Sequence, residues 1–327
     1  MVRWQVPVVL GAVVAGTVLG LSADVGDWSE RLVVPALVTL LTLTFTGIAP
    51  AAFTSDVGPH RRVVASSLVL NFVWAPLAAG VLGWLLLTGS PGLRIGLVML
   101  LVTPCTDWYL IFTATARGNV PLSVALLPVN LVLQLALLPV FIVVLTGTAA
   151  DVPAAELVAS VAVVLGIPLG LALAVRLGAR RTGTTNRLDG LLGRLEPLGL
   201  ALLALAITAI FATHARDVTD EPAALLPLLV ALAIFFASTY LIAAVTARVG
   251  GFRHRERVTL TIVAMARNSP IALAIATTAF PDRPLIAVAL VVGPLVELPV
   301  LSLAARALAA QERSDGTEGS ARMRTKR

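Results

Sequence analysis

The chain has 327 residues, of which 58% are hydrophobic and only 13% charged, and its mean hydropathy is +0.94. So few charged residues cannot cover the surface of a water-soluble fold of this length, which excludes an ordinary soluble protein. The net charge of +6 would suit nucleic acid, but the arginines lie mostly in short segments between apolar runs, so we expect no nucleic-acid partner.

Apolar runs of about 18 or more residues, each long enough to cross about 30 Å of hydrocarbon, recur along the chain and predict a lipid-bilayer protein. We therefore predict an all-α membrane protein with ten transmembrane helices in one domain of residues 1–310, the first helix being retained rather than cleaved. Residues 311–327 are polar and are predicted to form a disordered cytoplasmic tail. The ten predicted spans cover residues 5–22, 32–53, 64–88, 93–116, 121–147, 155–177, 197–214, 223–248, 258–280 and 284–309.

Arginine and lysine placement predicts the orientation of these spans. With the N-terminus in the cytoplasm, 19 of the 24 basic residues fall in cytoplasmic segments, 4 in external segments, and Arg267 within span nine. Cytoplasmic loops are enriched in arginine and lysine, so this split indicates a multi-pass protein of the cell membrane with both termini in the cytoplasm. It also favours an even number of spans.

The first repeat, about residues 1–150, and the second, about 151–310, share short patterns at similar offsets. In particular, a hydroxyl residue followed by proline interrupts span four at Thr103-Pro104 and span nine at Ser269-Pro270. Because each half has five spans, the second half must be inverted relative to the first. Inverted repeats with one broken helix in each half are a recurring plan of secondary transporters.

A hydroxyl residue followed by proline is also a helix-start signal, because the hydroxyl caps free N–H groups and proline fits the first turn. We therefore expect each interrupted span to stop within the membrane and restart at the hydroxyl. Unpaired backbone at that depth is tolerated only beside protein or a water-filled cavity, which predicts a binding site. The alternative is a pair of proline kinks with no site.

Three ionisable residues, Asp107, Arg267 and Glu297, lie deep within predicted spans. Each costs about 2.5–3.5 kcal/mol in the bilayer on insertion scales, so we expect all three to face the interior of the bundle. They would either pair only to hold helices together or serve transport. One positive and two negative groups leave one carboxylate over, and a spare carboxylate would carry a proton.

Six polar residues are further candidates for binding a substrate or coupling ion. Those at the breaks are Thr103, Cys105, Asn268 and Ser269, and those one turn apart on span five are Asn130 and Gln134. Each has a plainer interpretation as an interhelical hydrogen bond or, for the cysteine, inert packing. Asn71 on span three is a weaker candidate.

The remaining sequence motifs are weak. The three histidines are isolated, so no metal site is predicted, and we expect no cofactor, no catalytic residue and no enzyme activity. Small residues four apart, Gly16 with Gly20 and Gly166 with Gly170, are weak evidence for close helix packing.

Three motifs carry a family resemblance: Thr103-Pro-Cys-Thr-Asp107, Ala266-Arg-Asn-Ser-Pro-Ile-Ala-Leu-Ala274 and Val292-Gly-Pro-Leu-Val-Glu-Leu-Pro-Val300. With these, the chain resembles the bile acid:sodium symporter superfamily and, within it, the arsenical-resistance (arsenite permease) branch. Cys105 and Glu297 match a cysteine and a glutamate of that branch. The resemblance implies a panel domain and a core domain, with broken helices four and nine crossing at mid-membrane.

Sodium-coupled members of that family have a glutamate and a glutamine where this chain has Val263 and Arg267. An apolar group and a guanidinium do not ligate sodium, and a fixed positive charge would replace the ion. We therefore expect a secondary active transporter that exports arsenite and is coupled to protons. Cys105 would meet the arsenic atom, Glu297 or Asp107 would carry the proton, and Arg267 would set the electric field.

Two alternatives remain. One is a symporter of a small organic anion, sodium-coupled as in other family members, with Arg267 as the partner of the anion. The other, from a different class, is a non-transporting membrane sensor or scaffold, which is disfavoured because no segment has the composition of a folded soluble domain.

Overall fold

The computed structural model describes residues 2–22, 26–48, 58–106, 108–146, 154–213, 215 and 225–324. It is 89% helical, and the described residues contain no β-strand. The helices are α1 (Val2–Ser22), α2 (Gly26–Gly47), α3 (Arg61–Val69), α4 (Ala75–Leu86), α5 (Pro91–Leu101), α6 (Tyr109–Thr115), α7 (Val120–Thr146), α8 (Ala154–Arg181), α9 (Thr185–Thr213), α10 (Leu225–Val249), α11 (His254–Met265), α12 (Ser269–Ala279) and α13 (Pro284–Arg324). A π-helical turn, Leu70–Trp74, joins α3 to α4 without a loop.

Five helical units within the described residues are long and apolar enough to cross a membrane by themselves. These are Gly58–Leu86, Val120–Thr146, Leu157–Arg181, Leu225–Val249 and Pro284–Gln311. A sixth is α9, if the two parts on either side of its 46° bend are counted together. The bend lies at Pro197, which cannot continue the hydrogen-bond ladder. The structure thus confirms an all-helical chain with several membrane-length helices, whereas the ten-span count stays a prediction.

The helices form two groups by their contacts. In one, α9 packs along both α1 and α2, and α2 also packs along α8. In the other, α13 packs along α5, α10 along α11, and α4 along α5. The second group contains both interrupted helix pairs, α5 with α6 and α11 with α12. Helix α12 contacts α2 and α8, so it joins the two groups beside the interruptions.

Glycine spacing explains one of the closest helix contacts. Gly16 and Gly20 on α1 face α9, where an added Cβ would overlap the carbonyl oxygens of Thr208 and Ala212. The expectation of close packing is therefore confirmed for this pattern. It is wrong for Gly166 and Gly170 on α8, because a Cβ at either position would meet no atom of the described residues within 4 Å. A small-residue pattern permits close approach but does not by itself supply a partner.

Helix α13 continues to Arg324, whereas the sequence predicts disorder from residue 311. The alanine, arginine and glutamine residues near residue 310 favour continuation of the helix past residue 310. Disorder of residues 311–327 in solution stays a prediction.

Candidate functional site at the paired helix breaks

The two interruptions lie side by side and pair with each other. The segment between α5 and α6 forms an antiparallel bridge with the segment between α11 and α12, at Pro104 and Arg267. The Cys105 N–H donates to the Ala266 carbonyl at 3.1 Å, and the Asn268 N–H donates to the Thr103 carbonyl at 2.8 Å. Each break therefore supplies hydrogen-bond partners for the other. Non-helical backbone is tolerated inside a membrane protein only when it is satisfied by protein or water in this way.

The two helix restarts differ from the expectation of a hydroxyl cap before proline. In the first break, α6 begins only at Tyr109, and the Thr103 hydroxyl instead donates back to the Met99 and Leu100 carbonyls at 2.8 and 3.0 Å. The expected restart at Thr103-Pro104 is therefore wrong. The reason is that Pro104 pairs with Arg267 of the second break, and the helical conformation is disfavoured for Thr103 because it precedes a proline.

In the second break, α12 begins at Ser269, as expected, but Asn268 is the cap. Its side-chain oxygen accepts a hydrogen bond from the Ile271 N–H at 3.2 Å, and its side-chain nitrogen donates to the Thr106 hydroxyl at 2.8 Å. The Ser269 hydroxyl instead donates to the Leu290 carbonyl of α13. That carbonyl lacks its usual helical partner because Pro294, four residues later, has no N–H.

Arg267 lies at the centre of the site and is only 2% exposed. Its guanidinium donates to the Leu101 carbonyl at 2.7 Å, the Met265 carbonyl at 3.3 Å, and the Ala264 carbonyl. These carbonyls belong to the last turns of α5 and α11, where the helix dipole is negative. One fixed cation therefore stabilises the C-terminal ends of both interrupted helices.

Two further side chains position the guanidinium. The Asn71 side-chain oxygen accepts a hydrogen bond from it at 3.0 Å, and the ring of Phe235 lies 5.2 Å from its central carbon in a cation–π arrangement. Asn71 lies in the π-helical turn, a distortion that often marks functional sites. Counting its carbonyl partners, Arg267 uses four of the five N–H groups of a guanidinium.

Glu297 and Cys105 complete the centre. Glu297 on α13 is 1% exposed, and its carboxylate accepts a hydrogen bond from the Arg267 backbone N–H at 2.9 Å. Cys105 is 3% exposed and is not part of a disulfide, and both residues lie close enough to the Arg267 guanidinium to act on its charge. The structure thus brings together a thiol, a carboxylate and a guanidinium in a buried site. Asp107, the other predicted carboxylate, lies outside the described residues.

Asn130 and Gln134 lie on α7, which packs against α5, α6 and α11. They are 0% and 1% exposed, and none of their four side-chain nitrogen and oxygen atoms has a hydrogen-bond partner in the described part of the chain. A buried polar group without a partner costs about 1–3 kcal/mol, so these carboxamides need an occupant or a functional reason. The plainer interpretation as interhelical hydrogen bonds is therefore not what the structure shows.

The sequence analysis does not name two residues of the site, Thr106 and Phe235, and gives a third, Asn71, only as a weaker candidate. Thr106 lies inside the Thr103–Asp107 motif, which was a usable signal. Phe235 lies in an unbroken apolar run and gives no signal in the sequence. Asn71 is an isolated asparagine in an apolar segment, and only its contact with Arg267, 196 residues later, identifies its role.

A second polar cluster lies where α11 begins. The imidazole Nδ1 of His60 is 2.8 Å from a carboxylate oxygen of Glu256, and the second oxygen of Glu256 accepts from the Arg253 N–H at 2.9 Å. Burial raises the pKa of Glu256, but the hydrogen bonds from Arg253 and His60 outweigh this, so the net pKa is lowered. The cluster connects the short helical turn before α3 to the start of α11.

Comparison with known proteins gives one family and two relatives. Residues 40–221, more than half of the chain, match the model of the Sodium Bile acid symporter family. The chain is 26% identical over 305 residues to the arsenical-resistance protein Acr3 of Corynebacterium glutamicum, covering 89% of this chain and 82% of that protein. It is 24% identical over 247 residues to the uncharacterized transporter slr0944 of Synechocystis sp., covering 74% of this chain and 64% of that protein.

Proposed function

The chain belongs to the Sodium Bile acid symporter family, and from this premise we propose that it is a proton-coupled exporter of arsenite. The family and the apolar helices make it a multi-pass membrane transporter of a small molecule. In our proposal it lies in the cell membrane with both termini in the cytoplasm. Its helices form ten spans in two inverted five-helix repeats, and the paired breaks lie at mid-membrane.

The observation that carries the proposal is the buried group of Cys105, Arg267 and Glu297 at the paired breaks. A thiol is the only soft ligand among these side chains, and soft ligands favour soft metal and metalloid centres. The similarity to Acr3 supports the same substrate class, because that relative is named for arsenical resistance. No other cysteine is available to this chain.

Arsenite at neutral pH is the uncharged trihydroxide As(OH)3. The Cys105 thiol would form an S–As bond while one As–OH group leaves with the thiol proton as water, and the reverse step would release the substrate. No oxidant or reductant is needed. The unpartnered carboxamides of Asn130 and Gln134 would donate to and accept from the remaining hydroxyl groups. Because Cys105 is buried, binding requires the packing around the paired breaks to open.

The alternative of an organic-anion symporter finds less support. It requires the Arg267 guanidinium to bind the anion, but four of its five N–H groups already donate within the protein. Exchanging those bonds for an anion would leave the last carbonyls of α5 and α11 without a donor. We therefore favour a neutral, soft substrate.

The same residue supports the proposal of proton coupling. By the family resemblance, Arg267 stands where sodium-coupled members carry a sodium ligand, and it would supply a positive charge there. Glu297, or Asp107, would then carry the transported proton. In everted membrane vesicles, arsenite uptake should follow an imposed pH gradient and be unchanged when sodium is replaced by choline. Uptake that collapses on that replacement at constant pH would contradict proton coupling.

The substrate assignment is tested by Cys105→Ser. Serine keeps the size and polarity of the side chain but not the soft sulfur, so we expect loss of arsenite export with normal insertion and folding. Thr106→Ser is the matched control, because it lies in the same segment and keeps the hydroxyl that accepts from Asn268. The measurement is arsenite accumulation in sensitised cells with equal amounts of each protein. Equally low accumulation with wild type and Cys105→Ser would remove Cys105 from the mechanism, and high accumulation with wild type would refute arsenite export.

A further inference from the structure

An open groove lies between the start of α3 and the end of α10, away from the paired breaks. Its volume is about 540 Å³, within the range of about 300–1,000 Å³ typical of small-molecule pockets. Three lining residues come from α3, three from the last turns of α10, and two from the turn that follows. The groove faces the outside of the bundle, and Val249 on its wall is 84% exposed.

One part of the groove is lined by polar side chains that form no hydrogen bonds within the described part of the protein. Arg62 is exposed and forms no hydrogen bond or ion pair with any described residue, and the hydroxyls of Ser66 and Thr246 form no hydrogen bond with the described residues either. The groove therefore presents one cation and two free hydroxyls.

The rest of the groove is apolar. Val245, Val249 and Phe252 line it, and Phe252 also packs against a buried apolar cluster that includes Val63 and Ala247. Gly250 allows this position of the ring, because a Cβ there would come within 2.8 Å of two ring carbons. An apolar wall next to an arginine and two hydroxyl groups that are available as hydrogen-bond donors matches a ligand with an acyl chain and an anionic head.

The charge around the groove is positive. Arg61, Arg62 and Arg248 are all exposed and form no ion pair with the described residues. The nearby carboxylate of Glu256 is bound by His60 instead. Basic groups at the cytoplasmic membrane surface attract anionic lipids by about 1 kcal/mol each. We propose that this groove binds one anionic phospholipid of the cytoplasmic leaflet, with its phosphate at Arg62 and one acyl chain along the apolar wall. The leaflet follows from the cytoplasmic orientation proposed above.

The test is retention of phosphatidylglycerol against phosphatidylcholine by the purified full-length protein in detergent, measured by native mass spectrometry. We expect preferential retention of one phosphatidylglycerol. Arg62→Ala should weaken that retention about fivefold, which is the effect of one arginine near the surface. Ala65→Phe keeps all arginines but fills the groove from an exposed position, and should weaken it as well.

Arg194→Ala is the matched control, because it removes an exposed arginine of α9 that does not line the groove. It should leave retention unchanged. Equal retention of the two lipids by the wild type, unchanged retention in Ala65→Phe, or an equal loss in Arg194→Ala would each overturn the proposal. If Arg62→Ala does not fold, Ala65→Phe decides the question. No arsenite is present, so failure of arsenite transport and failure of lipid binding are seen separately.

Discussion

Replacing Arg267 by lysine separates the geometry of its guanidinium from its charge. The planar guanidinium reaches carbonyls of both α5 and α11 and the Asn71 side chain at the same time. A lysine ammonium is a compact point charge and cannot bridge these groups. Losing two hydrogen bonds to a charged donor, at about 1.5–3 kcal/mol each, costs about 3–6 kcal/mol. This is a large part of the 5–15 kcal/mol that stabilises a typical protein domain.

We therefore expect Arg267→Lys to lower the thermal unfolding temperature of the purified protein strongly. Phe235→Leu keeps an apolar side chain and removes the cation–π contact, worth about 2 kcal/mol when desolvated, and the edge-to-face contact with Phe236, worth about 0.5–1.5 kcal/mol. Its effect should therefore lie at or below the lower end of the range given for Arg267→Lys. Arg306→Lys, at an exposed position on α13, is the control and should be silent. The measurement is tryptophan fluorescence during heating in detergent. If Arg267→Lys unfolds at the wild-type temperature, the guanidinium does not link the two helix ends and the reasoning is wrong.

Two further predictions concern packing and pH. Gly20→Ala should destabilise the protein by about 1–3 kcal/mol, because the new methyl group overlaps the Ala212 carbonyl. Gly170→Ala faces open space among the described residues and should be neutral or stabilising. Equal unfolding temperatures of the two variants would contradict the close α1–α9 contact. Glu256→Gln should lower stability at neutral pH, since it removes the charged hydrogen bonds to the backbone and to His60. Because the folded pKa of Glu256 is lowered from 4.5, its contribution is present above pH 4.5 and is lost as the pH falls through the lowered pKa. The gap between wild type and Glu256→Gln in unfolding temperature should therefore close in acid, and a gap that persists there would show that the carboxylate charge is not the cause.

The sequence alone determined the features that depend on local composition. Long apolar runs require helices in a membrane, because backbone groups in hydrocarbon must be satisfied within the segment. Proline and hydroxyl residues located both interruptions, and the cost of burying charge identified Arg267 and Glu297 as interior residues, which they are. The family resemblance, carried by three motifs, is also confirmed.

Only the tertiary structure decided which groups satisfy one another. The expected helix restart at Thr103 was wrong because the two breaks pair across 163 residues of sequence, from Pro104 to Arg267, and this contact outweighs the local cap signal. The guanidinium of Arg267 donates to helix-end carbonyls, which every residue possesses, so no side-chain pattern could have indicated them. A sequence shows which groups need a partner in the membrane, but the partner is fixed by contacts between distant segments.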